Sequence, residues 1–218
     1  MSSALVVRGG WEGHRPVETT ELFLPGLRQG GFDVTISDDL AVYQDAAKLG
    51  EFDLIVQCWS IGELSEEQCA GLVGAVRSGV GFAGWHGGVL GTFVTSRDYL
   101  RMIGGQFLYH QPDFVDYRVK VRAERASHPI VAGIADFAVH TEQYWMITDA
   151  HNDVLATTVV HPEPGEEFAE PVSMPVAWTR RWGAGKVFVS AIGHRPLDLR
   201  QPEVHTLTLR GLTWAARR

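Results

Sequence analysis

The chain has 218 residues and a mass of 24.1 kDa, and 45% of its residues are apolar. A chain of this length and apolar content can form the hydrophobic core of one globular domain, so we predict a single domain over residues 1–218. The formal net charge of −7 removes the long-range attraction on which nucleic-acid and anionic-lipid binding depend. We therefore expect neither a nucleic acid nor a membrane as a partner.

Localisation and thiol chemistry are predicted from features that the sequence lacks. Residues 1–7 contain neither a charged start nor a long apolar stretch, and no run approaches the ~20 apolar residues that span a bilayer. We expect a cytoplasmic protein. Cys58 and Cys69 are too few for a disulfide framework and lack zinc-finger spacing, so we interpret both as buried, reduced thiols.

The first half of the chain alternates strand-length apolar runs with helix-length amphipathic stretches, which indicates a parallel sheet covered by helices. The predicted helices are residues 16–29, which begin at a proline, and residues 65–77, where Ser65 and Gln68 have capping-box spacing. The predicted strands lack polar alternation, so we expect each to be buried on both faces. They are residues 4–8, 32–37, 53–58 and 80–85.

The second half predicts an antiparallel extension of this sheet. Residues 114–122 alternate as a half-exposed strand does, and further strand-like runs cover residues 154–160, 175–180 and 186–192. Two glycines, at 183 and 185, mark a hairpin between the last two runs. Residues 161–175 are predicted to be a surface loop, and residues 202–217 a closing helix.

Histidines follow three of the predicted sheet strands. In an open parallel sheet, ligands bind beyond the carboxyl ends of the strands. His14 follows the first strand, His86 the fourth and His194 the last, so we expect His86 and His194 to share one cleft. His86 lies in a glycine-flanked segment, residues 84–88, which predicts a strained turn; the alternative is a ring bonded to carbonyls in a tight loop. The glycines before His14 lack the Walker lysine and spacing, so no nucleotide cofactor is expected.

Other candidate residues flank the same edge. Glu142 precedes two aromatic residues, which suits a polyhydroxy ligand that needs hydrogen bonds and a flat face; the alternative is a surface carboxylate. His110 follows a glycine pair and is taken alone as a polar loop residue. Trp11 and Trp59 occur at strand exits and are expected to form a wall of the cleft.

These motifs occur here in the order and spacing of the ThuA-like family, which the chain resembles over nearly its whole length. The segments that carry the resemblance are residues 9–16, 84–87, 104–110, 128–130 and 193–194. The resemblance implies a flavodoxin-like three-layer α/β/α sandwich of the class I glutamine amidotransferase type, mainly parallel with an antiparallel extension. His86 then stands where the amidotransferases have their nucleophilic cysteine. Glutamine hydrolysis through a thioester is excluded, because neither Cys58 nor Cys69 falls at that turn.

The resemblance also implies a carbohydrate or keto-sugar substrate, as in trehalose or related disaccharide use, without fixing the reaction. We expect a carbohydrate-processing enzyme of the hydrolase, lyase or isomerase type. Neutral imidazoles suit Zn²⁺ or another divalent transition metal, which would polarise a sugar carbonyl or a water molecule. The expected catalytic residues are His14, His86, Glu142 and His194. The expected metal ligands are His86, His110 and His194, and the expected substrate-binding residues are Trp11, Trp59, Gln111, Tyr144 and Arg195.

Two alternatives to the metal-dependent enzyme stay open at this stage. In the first, the histidines act without a metal as acid and base, which an ordinary imidazole pKa near ~6.5 permits. In the second, the chain is a non-catalytic carbohydrate-binding or assembly protein that kept the fold. A small-molecule carbohydrate is the expected partner in all three cases, and a homo-oligomer is compatible with each.

Overall fold

The computed structural model describes residues 2–162, 165 and 168–217, and its central feature is a nine-stranded sheet. The strands are β1 (Ser2–Gly10), β2 (Phe32–Ser37), β3 (Leu54–Ser60), β4 (Gly81–Trp85), β5 (Gly105–Tyr109), β6 (Val115–Val121), β7 (Phe137–Thr141), β8 (Trp145–Thr148), β9 (Asp153–Val160), β10 (Val172–Trp182) and β11 (Gly185–Ser190). The helices are α1 (Pro16–Glu21), α2 (Leu24–Gln29), α3 (Ala46–Leu49), α4 (Glu66–Arg77), α5 (Gly87–Leu90), α6 (Arg97–Ile103), α7 (Pro196–Arg200) and α8 (Pro202–Ala215).

The sheet is parallel in one half and antiparallel in the other. Its order is β2-β1-β3-β4-β11-β10-β9-β6-β7, and the first five strands are parallel. That half has the 2-1-3-4-5 order of flavodoxin-like folds, with β11 as the fifth strand. The remaining four strands pair antiparallel, and β5 and β8 form a separate two-stranded sheet. The predicted α/β class and antiparallel extension are therefore confirmed.

Two hydrophobic cores lie on opposite faces of the sheet. Along β1, Ala4 and Val6 face a core shared with α2 and α8, whereas Leu5 and Val7 face a core shared with α4 and α6. Because side chains alternate along a strand, a strand that serves both cores must be apolar at every position. The inner parallel strands follow this rule. The prediction that β2 is buried on both faces is wrong, because β2 is the edge strand and most of its residues are half-buried or exposed.

The helices differ from the prediction in one place. Residues 16–29 form two short helices, because α1 ends at Glu21 and the second helix begins at Leu24, with a proline in its first turn. The predicted capping box is confirmed, since Ser65 and Gln68 bond each other's backbone N–H groups. The closing helix is also confirmed as α8, preceded by the short α7.

The rest of the sequence interpretation needs two corrections. The surface loop predicted over residues 161–175 is wrong from Val172 onward, where β10 begins. Residues 163, 164, 166 and 167 of that segment lie outside the described part of the chain. Cys58 is fully buried, but Cys69 is only partly so, and both are free thiols. Within the described residues, no helix is both long and apolar enough to cross a membrane.

Candidate functional site

The site is built around His86, which is the single residue between β4 and α5. Its backbone has φ 50° and ψ −145°, a conformation that costs side-chain-bearing residues of order 1–3 kcal/mol and that clusters at functional sites. Small neighbours make this turn possible, because a Cβ on Gly84 would lie 2.5 Å from the Gln57 carbonyl oxygen and one on Gly88 would lie 2.9 Å from Cys58 Cα. The predicted strained turn is confirmed.

The end of β11 fixes the orientation of the His86 ring. Ser190 pairs with Trp85, and the backbone N–H of His86 donates to the Ser190 carbonyl at 2.7 Å. Nδ1 of His86 lies 3.0 Å from the Ala191 carbonyl oxygen, which can only accept. Nδ1 therefore carries the proton, and Nε2 presents a lone pair to the site while the ring is neutral.

His194 and His14 complete a cluster of three imidazoles. His194 lies just beyond β11, and its ring centroid is 5.4 Å from that of His86, so the two share one cleft as predicted. His14 ends a short helical turn after β1, and its centroid is 5.0 Å from each of the other two. Nδ1 of His14 lies 2.5 Å from Ser60 Oγ at the end of β3, which leaves Nε2 for a ligand.

Glu142 brings a carboxylate to these three rings. It follows β7 directly, and its side chain is about 90% buried. Oε2 lies 3.0 Å from His86 Nε2, while Oε1 lies 3.0 Å from His194 Nδ1 and 3.5 Å from His110 Nε2. One carboxylate therefore touches three imidazoles, which come from three separate parts of the fold.

Burial keeps His14 and His86 neutral, while Glu142 stays charged. Desolvation lowers the pKa of His14 to about 3, helped by repulsion from the rings of His86 and His194, and it also lowers the pKa of His86. Burial alone would raise the pKa of Glu142, but the adjacent His194 and His86 outweigh it and hold that pKa below its usual range. At neutral pH, lone pairs and a negative charge thus face one another.

The four side chains form an arrangement that could hold a metal ion. One ligand atom from each of His14, His86, Glu142 and His194 lies within 4.8 Å of the other three. His194 Nδ1 is buried and lies 3.0 Å from Glu142 Oε1, but it forms no hydrogen bond with any of the described residues. Three imidazole nitrogens and one carboxylate oxygen are a donor set that Zn²⁺ accepts. The residues present therefore fit a metal.

The four-residue cluster overlaps in part with the metal ligands expected from the sequence. His86 and His194 belong to the four-residue cluster. His110, the third expected ligand, lies at its edge, in contact with Glu142 and with a side chain 29% exposed. His14 and Glu142, which were expected to be catalytic, supply the other two ligand atoms.

Two of the expected substrate-binding residues, Trp11 and Tyr144, contact rings of the cluster, and Trp59 lies beside Gly9 at the end of β1. Trp11 is 49% exposed, and its ring meets that of His14 at a centroid distance of 4.8 Å. Trp59 is half-buried under Gly9, where a Cβ would lie 2.6 Å from its ring. The Tyr144 hydroxyl lies 2.8 Å from His86 Nε2, so it donates to that lone pair while the ring is neutral.

The other two expected substrate-binding residues lie further out. Gln111 lines a neighbouring cavity of about 370 Å³, and its buried Oε1 has no hydrogen-bond partner within the described residues. Arg195 is held by Asp198 and by the His140 carbonyl, and it stacks over Phe114 at 3.8 Å. Its guanidinium therefore braces the chain after β11.

Sequence reasoning missed the groups that orient the imidazoles. Ser60, the residue after Trp59, was given no role from the sequence, and the Ala191 carbonyl carries no side-chain signal at all. Phe114, whose ring lies 5.4 Å from His194, was assigned only to a strand. The position of Ser60 after β3 is the one signal that could have been used, because β3 lies next to β1 in the sheet.

Comparison with known proteins agrees with this architecture. The model of the ThuA family, described as trehalose utilisation, matches residues 3–215. A ThuA-like protein from Bacteroides uniformis ATCC 8492 superposes with a TM-score of 0.78 at 18% identity, over 98% of this chain and 91% of that one. One from Parabacteroides merdae ATCC 43184 gives 0.79 at 17% identity, over 98% and 89%.

A cytoplasmic protein from Salmonella typhimurium LT2 is also similar, with a TM-score of 0.67 at 17% identity, over 99% of this chain and all of that one. At these identities the structural likeness establishes the fold alone. The comparison with curated proteins gives no match.

Proposed function

Because the chain belongs to the ThuA family, we propose that it is an enzyme acting on a sugar or keto-sugar, with a divalent metal ion held by His14, His86, Glu142 and His194. The family description, trehalose utilisation, supports a disaccharide or a derivative of one as the substrate. The site lies beyond the carboxyl ends of the parallel strands, where open α/β sheets bind their ligands. We propose a cytoplasmic location, because the structurally similar Salmonella protein is described as cytoplasmic.

One observation carries the metal part of the proposal. Buried lone pairs converge with a carboxylate, and the nitrogen of His194 that faces this carboxylate has no hydrogen-bond partner among the described residues. A buried polar atom left unpaired costs about 1–3 kcal/mol, and a shared cation would remove that cost. The contacts of His86 with Ala191 and of His14 with Ser60 support the same reading, because ligating histidines are usually oriented through their second ring nitrogen.

Residues next to the metal site are proposed to bind the sugar and to transfer protons. A bound divalent ion supplies Lewis acidity toward a sugar oxygen or water. Trp11 offers an exposed aromatic face beside His14, which suits the apolar face of a sugar ring. His110 is the more exposed imidazole next to Glu142, and we assign it the transfer of protons between the site and solvent.

The test is the metal content of untagged protein purified without chelator, measured by mass spectrometry. We expect near-stoichiometric Zn²⁺ or another divalent transition metal in the wild type and its loss in His86→Ala. His140→Ala is the matched control, because the His140 side chain is exposed and its contacts within the described residues are with the Asp116 carboxylate and the Phe114 ring. Metal absent from the wild type after reconstitution, or bound equally by His86→Ala, would refute the metal site.

Catalysis needs a separate assay on the metal-loaded protein. Trehalose, other disaccharides and their keto derivatives are incubated with the wild type and with His194→Ala, and product formation is followed by mass spectrometry. Turnover by the wild type alone is expected. Sugar binding without turnover would instead favour the non-catalytic carbohydrate-binding role.

A further inference from the structure

A further cavity lies at the opposite end of β10 and β11 from the histidine cluster. Its volume is about 790 Å³, within the range of small-molecule sites. The pairing of β9 with β10 ends at Asp153 and Thr179, and β10 continues alone on that side as far as Trp182. Arg180 pairs with Val187, three residues or about 10 Å before the end of β11 that holds the cluster.

The lining of this cavity is positively charged in an acidic protein. It includes the guanidinium groups of Arg101, Arg180 and Arg181 and the carboxylates of Asp149 and Asp153. Both carboxylates already have cationic partners, since Asp149 pairs with Arg180 and Asp153 with Arg125 outside the lining. Arg101 in turn pairs with Asp98, which also lies outside the lining. Arg181 forms no ion pair in the part of the chain that the structure describes, and its one hydrogen bond goes to the Ala184 carbonyl at 3.4 Å.

Two N–H groups of the same lining lack an acceptor. Arg180 is 91% buried, with Nη1 bonded to Asn152 and Nη2 to Asp149, but its Nε has no partner among the described residues. The indole Nε1 of Trp182 is likewise buried and unpaired. Residues 180 and 182 lie on one face of β10 and residue 181 lies on the other, because side chains alternate along a strand. The cavity therefore reaches around the end of β10 to both faces. Both orphan groups are donors, so an occupant that satisfies them must bring acceptors.

Aromatic walls add a second requirement on the occupant. Trp182 and Trp214 both line the cavity, and Arg101 lies over the Trp182 ring at 5.5 Å. A simple inorganic ion would leave these faces and most of the volume unused. A ring-bearing molecule with an oxyanion group matches charge, donors and walls together.

We propose that this cavity is a second ligand site, which binds a small ring-bearing organic phosphate. The Arg180 Nε–H and Trp182 Nε1–H donate hydrogen bonds to the phosphate oxygens from one face of β10, and Arg181 supplies positive charge from the other. Trp182 and Trp214 flank the ring from opposite faces of the sheet. A purely structural role explains the buried ion pair of Arg180 with Asp149. It leaves unexplained the two orphan donors that line one cavity.

The experiment is a titration followed by tryptophan fluorescence and by calorimetry, with phenyl phosphate, inorganic phosphate and uncharged benzyl alcohol as probes. We expect phenyl phosphate to bind more tightly than inorganic phosphate, and benzyl alcohol not to bind. Arg181→Gln should weaken phenyl phosphate binding about tenfold or more, because a hydrogen bond to a charged group is lost. Trp182→Phe keeps an aromatic ring but removes the N–H donor, and it should weaken binding severalfold.

Arg118→Gln is the matched control, because it removes one exposed positive charge from β6, outside this lining. Repeating the titration on His86→Ala separates this site from the histidine cluster, and binding should be unchanged there. Equal binding by Arg181→Gln and Arg118→Gln would mean an adventitious ion only. Absence of saturable binding by the wild type up to ~10 mM phenyl phosphate would also overturn the proposal.

Discussion

Gly87→Ala should remove His14 from the cluster without altering any of the four proposed ligands. A Cβ at position 87 would lie 2.1 Å from Cε1, 2.7 Å from Nδ1 and 3.0 Å from Nε2 of His14. Ordinary carbon–carbon contacts are about 3.5–4.0 Å, so the ring must retreat by roughly 1.4 Å or more. Metal–ligand distances tolerate only about ±0.2 Å. His14 would therefore cease to be a ligand.

The expected loss of Zn²⁺ affinity is about 100-fold or more, beyond the usual effect of changing a group that only orients a ligand. Folding should suffer little, because the obstacle is the end of a half-exposed side chain and Gly87 has an ordinary backbone conformation. Loss of the contact between His14 and Ser60 costs about 1 kcal/mol, which lowers Tm by about 2–4 °C in a domain of this size.

The assay combines competition for Zn²⁺ with a chromophoric chelator and thermal unfolding of the metal-free protein. Gly74→Ala is the control, because a Cβ there meets no atom within 4 Å. If Gly87→Ala folds and binds Zn²⁺ within threefold of the wild type, His14 is not a ligand and the four-residue site is wrong.

Other parts of the fold give three further expectations. Burial raises the pKa of Cys58 to about 12, so only ~10⁻⁴ of this thiol is thiolate at pH 8, whereas roughly a quarter of a free cysteine is. Burial also raises the pKa of Cys69, but that thiol is only partly buried. Labelling with iodoacetamide followed by peptide mapping should therefore show Cys69 modified first. Labelling of Cys58 should rise about tenfold per pH unit until pH 12, and rapid labelling at pH 8 would contradict its burial. Gln57→Leu should lower the free energy of unfolding in urea by about 2–4 kcal/mol, because two buried tyrosine hydroxyls lose a partner; a change below ~1 kcal/mol would disprove this. Gly74→Ala should raise the free energy of unfolding by about 0.5–1 kcal/mol, because alanine favours the helix and the added Cβ meets no atom within 4 Å. Gly71→Ala on the same helix should lower the free energy of unfolding, because its Cβ would lie 2.0 Å from the Tyr43 carbonyl oxygen.

The convergence of His14, His86 and His194 could be predicted in large part from the sequence. Each follows a strand of the parallel half of the sheet, and the carboxyl ends of parallel strands lie at one edge. The pairing of β11 with β4 was the decisive step, because it places the chain after β11 beside the turn at His86. Strand-length apolar runs and a hairpin signal were enough to suggest that pairing.

The place of Glu142 in the cluster could not be predicted in this way. It follows β7, the far edge strand of the sheet, and reaches the rings only because residues 145–148 pair with residues 105–109 in the small second sheet. That pairing joins segments about forty residues apart and has no turn signal of its own. Similarly, the exposure of β2 depends on its position at the sheet edge, which the apolar pattern of residues 32–37 does not reveal.

Tyr144 provides a test of how the proposed metal would compete with the bonds that the cluster already makes. His86 Nδ1 is committed to the Ala191 carbonyl, so the Tyr144 hydroxyl and a cation would seek the same Nε2 lone pair. Tyr144→Phe removes a hydrogen bond of about 0.5–1.5 kcal/mol that ligation must break, and Zn²⁺ affinity should rise about 2- to 10-fold in the chelator competition assay. Because the ring still stacks on His86 with centroids 4.3 Å apart, the orientation of His86 should be kept. A tenfold fall in affinity would mean that the hydroxyl supports ligation by holding the His86 ring, and the competition argument would be wrong.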